Sequence, residues 1–312
     1  MIYTRKALRF VLRAFSSLIC DFIPSKKLRH KFRNFVRFES PRNLGRYFSE
    51  RYVDKCKVFS NNLNCFDGGY IFQCWWQGVK NAPPVVRKCI QSVEKFKGGR
   101  KHIIITKDNF ESFVKLPDYI LEKYKKGIIS VTHLSDILRV CLLEKYGGFW
   151  VDATCLFSKP LPKWIEKNSF FMFQSDGPFL WTRIQNCFIY SKANYPLIAE
   201  WKLLLFKFWK YENCAYNYFF AHILFCALVD KNKSAANLYK RMPKVVQTPT
   251  HILLCHLFEK FDKKMFEKIM NGAFMHKLTY KFKKKELKKF SSSYLEFILN
   301  NDLDYILKSS PR

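Results

Sequence analysis

A carboxylate and a guanidinium stand three residues apart at Asp136 and Arg139, and a second carboxylate follows at Asp152. Residues three apart on a helix share one face, so Asp136 and Arg139 project together if this stretch is helical. Asp152 belongs to GGFWVDAT, residues 147–154, where it follows apolar residues typical of a buried strand. Charged groups of both signs form strong hydrogen bonds with polar ligands. The three side chains therefore predict a ligand site, although Asp136 could serve only the helix dipole.

The elements around these residues can be placed from their flanking residues. Ser135 is the predicted N-cap of a helix over 136–146, and Gly147 fits the left-handed position just after its last turn. In the strand that follows, side chains alternate between two faces. One face carries Phe149, Val151 and Ala153, and the other carries Trp150, Asp152 and Thr154. Asp152 thus lies at the carboxyl end of a strand, which is the edge of an open α/β sheet where ligands bind.

From residue 68 onward, short apolar runs alternate with helical patterns. Strands are predicted over 71–76, 102–106, 127–131 and 149–151, and helices over 84–96, 117–125 and 136–146. This alternation predicts βαβ units and an α/β fold with a mainly parallel sheet. Past Pro160 the pattern is helical and aromatic, and helices are predicted over 194–210, 216–229 and 258–270.

The composition indicates a globular and strongly basic protein. The chain has 55 Lys and Arg against 25 Asp and Glu, a formal net charge of +30, which favours anionic partners such as phosphate esters, nucleic acid or acidic membranes. Codon bias in an AT-rich genome is an equally good explanation for part of the Lys and Phe excess. Hydrophobic residues make up 48% of the chain, which is ample for a core. The 11 cysteines form no C-x-x-C pair, so they are typical of core residues in a reduced, cytosolic protein.

The N-terminal segment is basic and amphipathic. Its first 57 residues hold 15 Lys and Arg against four Asp and Glu. Apolar residues recur at spacings of three and four, which predicts a helix; among them are Leu8, Val11, Leu12, Phe15, Leu18, Ile19 and Phe22. Two hypotheses stay open, a helix packed on its own domain and a helix lying on an anionic leaflet. We therefore expect a basic helical segment over 1–66, a domain over 67–280 and a basic tail over 281–312.

Four stretches, in this order, resemble one known family. They are CWWQGVKNAPP at 74–84, SDILR at 135–139, YGG at 146–148 and FWVDAT at 149–154. They are similar to the capsular polysaccharide synthesis proteins, which are related to retaining, nucleotide-sugar-dependent glycosyltransferases with a DxD motif. The similarity extends from about residue 71 to 162 and resumes at HKLTYK, residues 276–281. It implies a GT-A fold, which is Rossmann-like, and an enzyme that transfers a sugar from a nucleotide sugar.

The resemblance also implies roles for individual residues. Asp136 and Arg139 match contacts to the donor sugar, and Asp152 matches the first acid of the DxD motif; these three are the expected catalytic residues. Trp75 and Trp76 lie at the end of the first predicted strand, where the nucleotide base is expected, and core packing is the alternative for both rings. The full set of expected donor-binding residues is Trp75, Trp76, Gln77, Trp150, Thr154 and Asn186. For Asn186, which lies in a family-like segment over 182–196, capping of a turn is the alternative.

The DxD pattern implies a divalent metal, Mn²⁺ or Mg²⁺, but Thr154 stands where the second acid belongs. Both ions prefer hard oxygen ligands, and a hydroxyl lacks the charge of a carboxylate. Three arrangements are open: Asp152 binds the metal alone, His276 completes the metal shell, or lysines between 277 and 283 replace the metal. Asp152 and His276 are the expected metal ligands.

The resemblance implies sugar transfer, with retention at the anomeric carbon, in bacterial capsule or lipopolysaccharide biosynthesis. The expected partners are a nucleotide-sugar donor, a glycolipid or oligosaccharide acceptor and the anionic inner-membrane surface; nucleic acid is not expected. The expected location is cytoplasmic and peripheral, on the inner face of the cytoplasmic membrane. One alternative is a basic nucleic-acid-binding protein, although no RNP, helix-turn-helix or zinc-finger pattern is visible. Another is a non-catalytic membrane-associated scaffold on a degenerate transferase fold.

Overall fold

The structure is a computed structural model, and it describes residues 11, 12, 14–16, 18–20, 22, 23, 25, 28, 32, 35, 36, 40–54 and 69–308. Within these residues the predicted α/β architecture is confirmed. The strands are β1 (Tyr70–Cys74), β2 (Lys101–Ile105), β3 (Gly148–Val151), β4 (Cys155–Phe157), β5 (Phe170–Gln174), β6 (Ile184–Ser191) and β7 (Met275–Lys277).

A central sheet contains five of these strands in the order β2-β1-β3-β6-β5. β1 pairs in parallel with β2 and β3, whereas β6 runs antiparallel to β3 and to β5. Four strands of this sheet therefore point in one direction and β6 points in the other. β3 is buried along its whole length, as expected for a strand covered on both faces.

Helices cover both faces of the central sheet. They are α1 (Pro41–Tyr52), α2 (Pro84–Phe96), α3 (Phe110–Phe113), α4 (Asp118–Lys125), α5 (Val131–Tyr146), α6 (Lys163–Glu166), α7 (Pro196–Tyr211), α8 (Phe220–Lys231), α9 (Lys233–Arg241), α10 (Thr248–His256), α11 (Lys263–Gly272), α12 (Lys284–Leu287), α13 (Tyr294–Asn300) and α14 (Leu303–Lys308). Short 3₁₀ helices span Val79–Asn81 and Gly177–Thr182.

The alternation predicted for β3 is confirmed by its packing. Trp150 lies in the larger core cluster, which joins the sheet to α5, α7 and α8. Phe149 and Val151 lie in a second cluster on the other face, where they meet Val93 of α2 and Phe157 of β4. β3 thus contributes side chains to the core clusters on both faces of the sheet.

A second, two-stranded sheet brings a distant part of the chain to the end of β3. β4 and β7 pair antiparallel, so that Cys155 lies opposite Lys277 and Leu156 opposite His276. The pairing continues past β7, where the N–H of Leu278 donates to the carbonyl of Thr154 at 2.8 Å. Lys277 is therefore fixed beside the residues that follow β3.

The start of α5 differs from the prediction. The stretch 127–131 is not a strand: it forms a turn, and the helix begins at Val131. Ser130, and not Ser135, is the N-cap, and its hydroxyl accepts from the N–H of His133 at 3.3 Å. Ser135 lies inside the helix and donates to the carbonyl of Thr132. The predicted end is confirmed, because Gly147 has φ of 66° and a Cβ there would lie 2.7 Å from the backbone N of Ala193.

The later helices are offset from their predicted ranges. The helices predicted over 194–210, 216–229 and 258–270 are observed as α7, α8 and α11, and α9 and α10 were not predicted. Part of the expected basic tail over 281–312 also forms helices, namely α12, α13 and α14. Ile298 and Ile306 of these helices are buried in one cluster with Val85 and Cys89 of α2.

The described part of the N-terminal segment contains a helix that packs on the domain and a helical stretch that exposes apolar side chains. α1 packs through Phe48 on Phe208 of α7. Residues 11, 12, 14–16 and 18–20 are helical as well. Cys20 of this stretch is buried, whereas Val11, Phe15 and Leu18, together with Phe22 just after it, are 53% to 86% exposed.

Two further expectations for this segment concern residues that the structure does not describe. Leu8 and the boundary at 66–67 lie outside the described residues. Among the described helices, none has both the length and the apolar character needed to cross a bilayer.

Candidate active site

A cavity of about 650 Å³ opens at the edge of the central sheet where β1 and β3 end and β6 begins. This is the carboxyl edge of the parallel strands, where α/β proteins bind ligands. Other parts of the wall come from α5, from residues just before and within α8, and from the stretch after β7. Nine of the ten site residues predicted from the sequence line this cavity: Trp75, Trp76, Gln77, Asp136, Arg139, Trp150, Asp152, Thr154 and Asn186.

α5 places Asp136 and Arg139 on one face, and both side chains are buried. Nη1 of Arg139 lies 2.6 Å from Oδ1 of Asp136, and Nδ2 of Asn186 donates to the same oxygen at 3.1 Å. Burial raises the pKa of Asp136 to about 6, although the Arg139 guanidinium opposes the rise. Both contacts use Oδ1, which leaves Oδ2 for a ligand.

Asp152 is held by its main chain and by its carboxylate. Its N–H donates to the carbonyl of Cys187 at 2.8 Å. Its Oδ1 accepts from Nε1 of Trp150 at 3.0 Å and lies 3.4 Å from Nη2 of Arg139. Burial alone would raise the pKa of Asp152, but the cations of Lys277 and Arg139 outweigh it and lower the pKa to about 2. Asp152 is therefore ionised at neutral pH.

Lys277 is the nearest cation to Asp152. Its Nζ lies 2.7 Å from Oδ2 of Asp152 and donates to the hydroxyl of Thr154, also at 2.7 Å. Burial opposes the charge on Lys277, but the Asp152 carboxylate outweighs burial and raises the pKa of the ammonium well above its ordinary value. The amine of Lys277 is therefore protonated at neutral pH.

A buried polar chain, absent from the prediction, holds the backbone of Asp152 from within the sheet. Gln73 is fully buried, and its Nε2 donates to the carbonyl of Asp152 at 3.3 Å. Oε1 of Gln73 lies 2.8 Å from Nε2 of His102, and Nδ1 of His102 lies 2.9 Å from Glu94. The available signal was Gln73 itself, because a polar residue inside a buried strand needs hydrogen-bond partners.

The two tryptophans after β1 line the cavity in different ways. Trp76 is 7% exposed, its Nε1 donates to the hydroxyl of Tyr124 at 2.6 Å, and its ring packs on Phe110. Trp75 meets Tyr280 edge to face at 5.1 Å, and its Nε1 has no hydrogen-bond partner in the described part of the chain. Trp75 is therefore the better placed of the two for contact with a ligand.

His222 of α8 is a cavity residue that the sequence analysis did not single out. It is buried, and neither ring nitrogen has a hydrogen-bond partner among the described residues. Burial, with a smaller effect of Arg139, lowers its pKa to about 3, so the ring is neutral. A lone His in an apolar helix was the only signal, and such residues are usually core residues. Here the unpaired nitrogens lie at the cavity wall, where a ligand could pair them.

A family model for the capsular polysaccharide synthesis proteins matches residues 20–298. The chain belongs to this family. Among solved structures, one titled PaToxG Glycosyltransferase is similar, with a TM-score of 0.35 and 13% sequence identity over 93% of this chain and 96% of that chain. No curated protein matches the chain.

The residues around Asp152 and Thr154, the positions that match a DxD motif by resemblance, do not fit a divalent metal. Oδ2 of Asp152 contacts Lys277, Oδ1 contacts Trp150 and Arg139, and the Thr154 hydroxyl contacts Lys277 too. A doubly charged ion about 4 Å from the ammonium would meet repulsion on the order of 8 kcal/mol at an effective dielectric constant of about 20. Within the described residues, no three His, Cys, Asp or Glu side chains form a group that could hold a metal.

His276, the expected second metal ligand, is the predicted site residue that does not line the cavity. It is adjacent to Lys277 in β7, and neighbouring side chains of a strand point to opposite faces. Nε2 of His276 lies 3.1 Å from the hydroxyl of Ser158, and burial lowers its pKa to about 4. His276 therefore lies beside Ser158 and not beside Asp152.

Proposed function

We propose that this protein is a glycosyltransferase that moves a sugar from a nucleotide-sugar donor to a glycan or glycolipid acceptor in capsule or lipopolysaccharide assembly. The observation that carries the proposal is the meeting of two carboxylates, Asp136 and Asp152, with two cations, Arg139 and Lys277, in one cavity. The cavity volume of about 650 Å³ is typical of small-molecule sites. Membership of the capsular polysaccharide synthesis family supports the same activity.

The two halves of a nucleotide sugar need different partners, and the cavity offers both. Sugar hydroxyls donate well to a carboxylate, and Oδ2 of Asp136 is available. Diphosphate oxygens accept from cations, which Arg139 and Lys277 supply. Trp75 offers an aromatic wall for the base, and the neutral ring of His222 can pair with a hydroxyl.

Transfer breaks the bond between the anomeric carbon and the phosphate oxygen, and the electron pair leaves with the diphosphate. Cations and N–H donors placed at the departing oxygens stabilise the charge that develops there. In a retaining reaction the acceptor hydroxyl attacks from the face of the leaving group, and its proton passes to the departing phosphate oxygen. The side chains then need to hold the donor and neutralise charge, and no hydrolase-like carboxylate pair is required.

The acceptor side of the proposal draws on the N-terminal segment. Val11, Phe15, Leu18 and Phe22 expose apolar side chains at spacings of three and four, and the segment is basic. Such a surface suits the headgroup region of an anionic membrane. A peripheral position at the inner membrane face would place the cavity near a glycolipid acceptor.

A panel of nucleoside diphosphate sugars tests the donor half. The purified protein is expected to bind one of them and to release its nucleoside diphosphate slowly in the absence of an acceptor. The Asp152→Asn variant should lose this turnover by about 100-fold or more, because the carboxylate that holds Lys277 and Arg139 is removed. Its free energy of unfolding should fall by about 1–3 kcal/mol, since the partly exposed ion pair is broken.

Asp108→Asn is the matched control, because Asp108 is an exposed carboxylate away from the cavity. Thermal unfolding of both variants separates a loss of folding from a loss of activity. Full activity of Asp152→Asn, or no binding of any nucleotide sugar by the wild type, would contradict the proposal. Binding without release of the nucleoside diphosphate would favour a non-catalytic scaffold, and binding of oligonucleotides in preference to nucleotide sugars would favour the nucleic-acid alternative.

A further inference from the structure

The Lys277 ammonium occupies the point between the two side chains at the acidic positions of the DxD pattern. Its Nζ lies 2.7 Å from Oδ2 of Asp152 and 2.7 Å from Oγ1 of Thr154. These are hydrogen-bond distances to the two side-chain oxygens that a DxD motif would present to a metal. The cation at this point belongs to the chain itself.

The fold fixes the position of this cation. Lys277 is the last residue of β7 and lies opposite Cys155, the first residue of β4. Beyond it the backbone of Leu278 is bonded to Thr154. A lysine on a free loop could move away from Asp152. Lys277 is instead held by the pairing of β7 with β4, the strand that directly follows Thr154.

The ammonium also has capacity for a ligand. A lysine has three N–H donors, and two of them meet Asp152 and Thr154. Lys277 lines the cavity, and its side chain is 21% exposed. The third donor is therefore available to an anion in the cavity. Lys281 also lines the cavity and adds positive charge.

The identity of the side chain at 154 agrees with this arrangement. A second carboxylate there would suit a divalent ion, whereas one carboxylate and one hydroxyl suit a single positive charge. The opposite charges of Asp152 and Lys277 cancel, and the Thr154 hydroxyl accepts a hydrogen bond from Lys277 without adding charge. A threonine at 154 and a lysine at 277 are thus chemically compatible with each other.

We infer that Lys277 takes the place of the divalent metal: its ammonium binds the donor's diphosphate directly, and the protein transfers sugar without an added metal ion. This inference rests on the proposed function. When the bond between the anomeric carbon and the phosphate oxygen breaks, the diphosphate keeps the electron pair. Lys277 keeps its proton and stabilises the new charge by a hydrogen bond.

The first test uses the wild-type protein and requires no variant. Binding of UDP, GDP and CDP is measured by calorimetry, and turnover of the matching nucleotide sugars by release of nucleoside diphosphate, in EDTA and in Mn²⁺. Binding and turnover are expected to agree within about twofold between the two buffers. Turnover that appears only with Mn²⁺ would overturn the inference and leave the proposed function intact. Absence of binding and turnover in both buffers would remove the proposed function, and the inference with it.

The second test changes the cation. Lys277→Met keeps an unbranched side chain that is shorter by one atom and removes its charge, so the affinity for the nucleoside diphosphate should fall about 10- to 100-fold, as expected for loss of one hydrogen bond to a charged group. Lys163→Ala is the control, because Lys163 is exposed and away from the cavity. Undiminished affinity of Lys277→Met in EDTA would overturn the inference.

The third variant, Lys277→Asp, places a second acid beside Asp152. Its turnover should be lost in EDTA and partly restored by Mn²⁺, which the wild type does not need. Wild-type activity of this variant in EDTA would overturn the inference. Thermal melts show whether Lys277→Met or Lys277→Asp is unfolded. If either is, the inference is decided by the activity of the wild type in EDTA and in Mn²⁺ alone.

Discussion

Asn186 and Arg139 bind the same oxygen of Asp136, the amide from β6 at 3.1 Å and the guanidinium from α5 at 2.6 Å. The carboxylate is thus oriented from two elements of the fold, and its second oxygen can be offered to a ligand in one direction. Burial raises the pKa of Asp136, and the bonds from Arg139 and Asn186 limit that rise. Asn186 is therefore a positioning residue for Asp136.

Replacing Asn186 should weaken the donor site without abolishing the reaction. In Asn186→Ala the KM for the nucleotide sugar is expected to rise about tenfold, the value of one hydrogen bond to a charged group, while kcat changes less. The pKa of Asp136 should also move further up, which shifts the acid limb of the pH profile of kcat/KM. Asn168→Ala is the control, since Asn168 bonds to a carbonyl away from the cavity. An unchanged KM together with an unchanged acid limb would show that Asn186 does not position Asp136.

Acidification should weaken donor binding through Asp136. Its pKa of about 6 means that the carboxylate, the form proposed to accept from sugar hydroxyls, is converted to the neutral acid as the pH falls from 7 to 5. Asp152, with a pKa of about 2, and His222, with a pKa of about 3, do not titrate in this range. The KM for the donor should therefore rise below pH 6. Asp136→Asn, which we expect to be only weakly active, should lack this inflection; an identical inflection in that variant would assign it to another group.

The same carboxyl acts on stability with the opposite sign. The folded pKa of about 6 lies above the ordinary value of 3.8, so between these pH values the folded chain holds a proton that the unfolded chain has lost. The contribution of Asp136 to the free energy of unfolding therefore decreases as the pH rises from about 4 to 6. Urea titrations of the wild type and of Asp136→Asn should converge at pH 4 and separate at pH 7, with the variant gaining relative stability. A difference between them that does not depend on pH would contradict this assignment.

Replacing His222 should weaken ligand binding without lowering the stability of the protein. His222→Phe keeps a ring of similar size and removes two buried nitrogens that lack partners among the described residues. Because an unpaired buried polar group is unfavourable, the variant should melt at the same temperature as the wild type or higher. Its KM for donor or acceptor should rise about fivefold or more, as expected for loss of one hydrogen bond. A lower melting temperature with unchanged KM would show that His222 is a core residue.

The exposed apolar residues near the N-terminus predict membrane binding. Phe15→Glu and Leu18→Glu together place two acids on the exposed apolar face and should reduce binding of the whole protein to vesicles rich in phosphatidylglycerol by about tenfold or more. Binding to neutral phosphatidylcholine vesicles should be weak for both proteins, and high salt should weaken the binding of the wild type. Nucleotide binding serves as the control for folding. Equal flotation of the variant and the wild type would contradict a membrane-facing role.

The local elements of the site could be predicted from the sequence because their signals are local. The end of α5 is marked by Gly147, the alternation of β3 by Phe149 and Trp150, and α2 by a regular apolar face, and the structure agrees with all three. The start of α5 was misplaced because two serines, Ser130 and Ser135, both suit an N-cap and only tertiary packing distinguishes them. The apolar pair at 128–129 reads as a strand but lies in a turn.

The partners of Asp152 could not be selected from the sequence. Lys277 is one of several lysines in a basic stretch, and it becomes the partner only because β7 pairs with β4 in one register. A shift of one residue would have turned His276 toward the site instead, which is the arrangement that the DxD resemblance suggested. Gln73 and His222 were overlooked for the same reason, since their importance depends on what lies across the sheet or the cavity.

The pairing of β7 with β4 also sets the order in which the site is completed during synthesis. Lys277 follows Asp152 by 125 residues, so the ribosome has made both acids, the arginine and Asn186 well before it reaches the lysine. Until then the emerging chain presents two carboxylates against one guanidinium and lacks one wall of its cavity, a poor receptor for a polyanion. On the proposed function, an unfinished copy is therefore not expected to bind a nucleotide sugar until β7 has paired with β4.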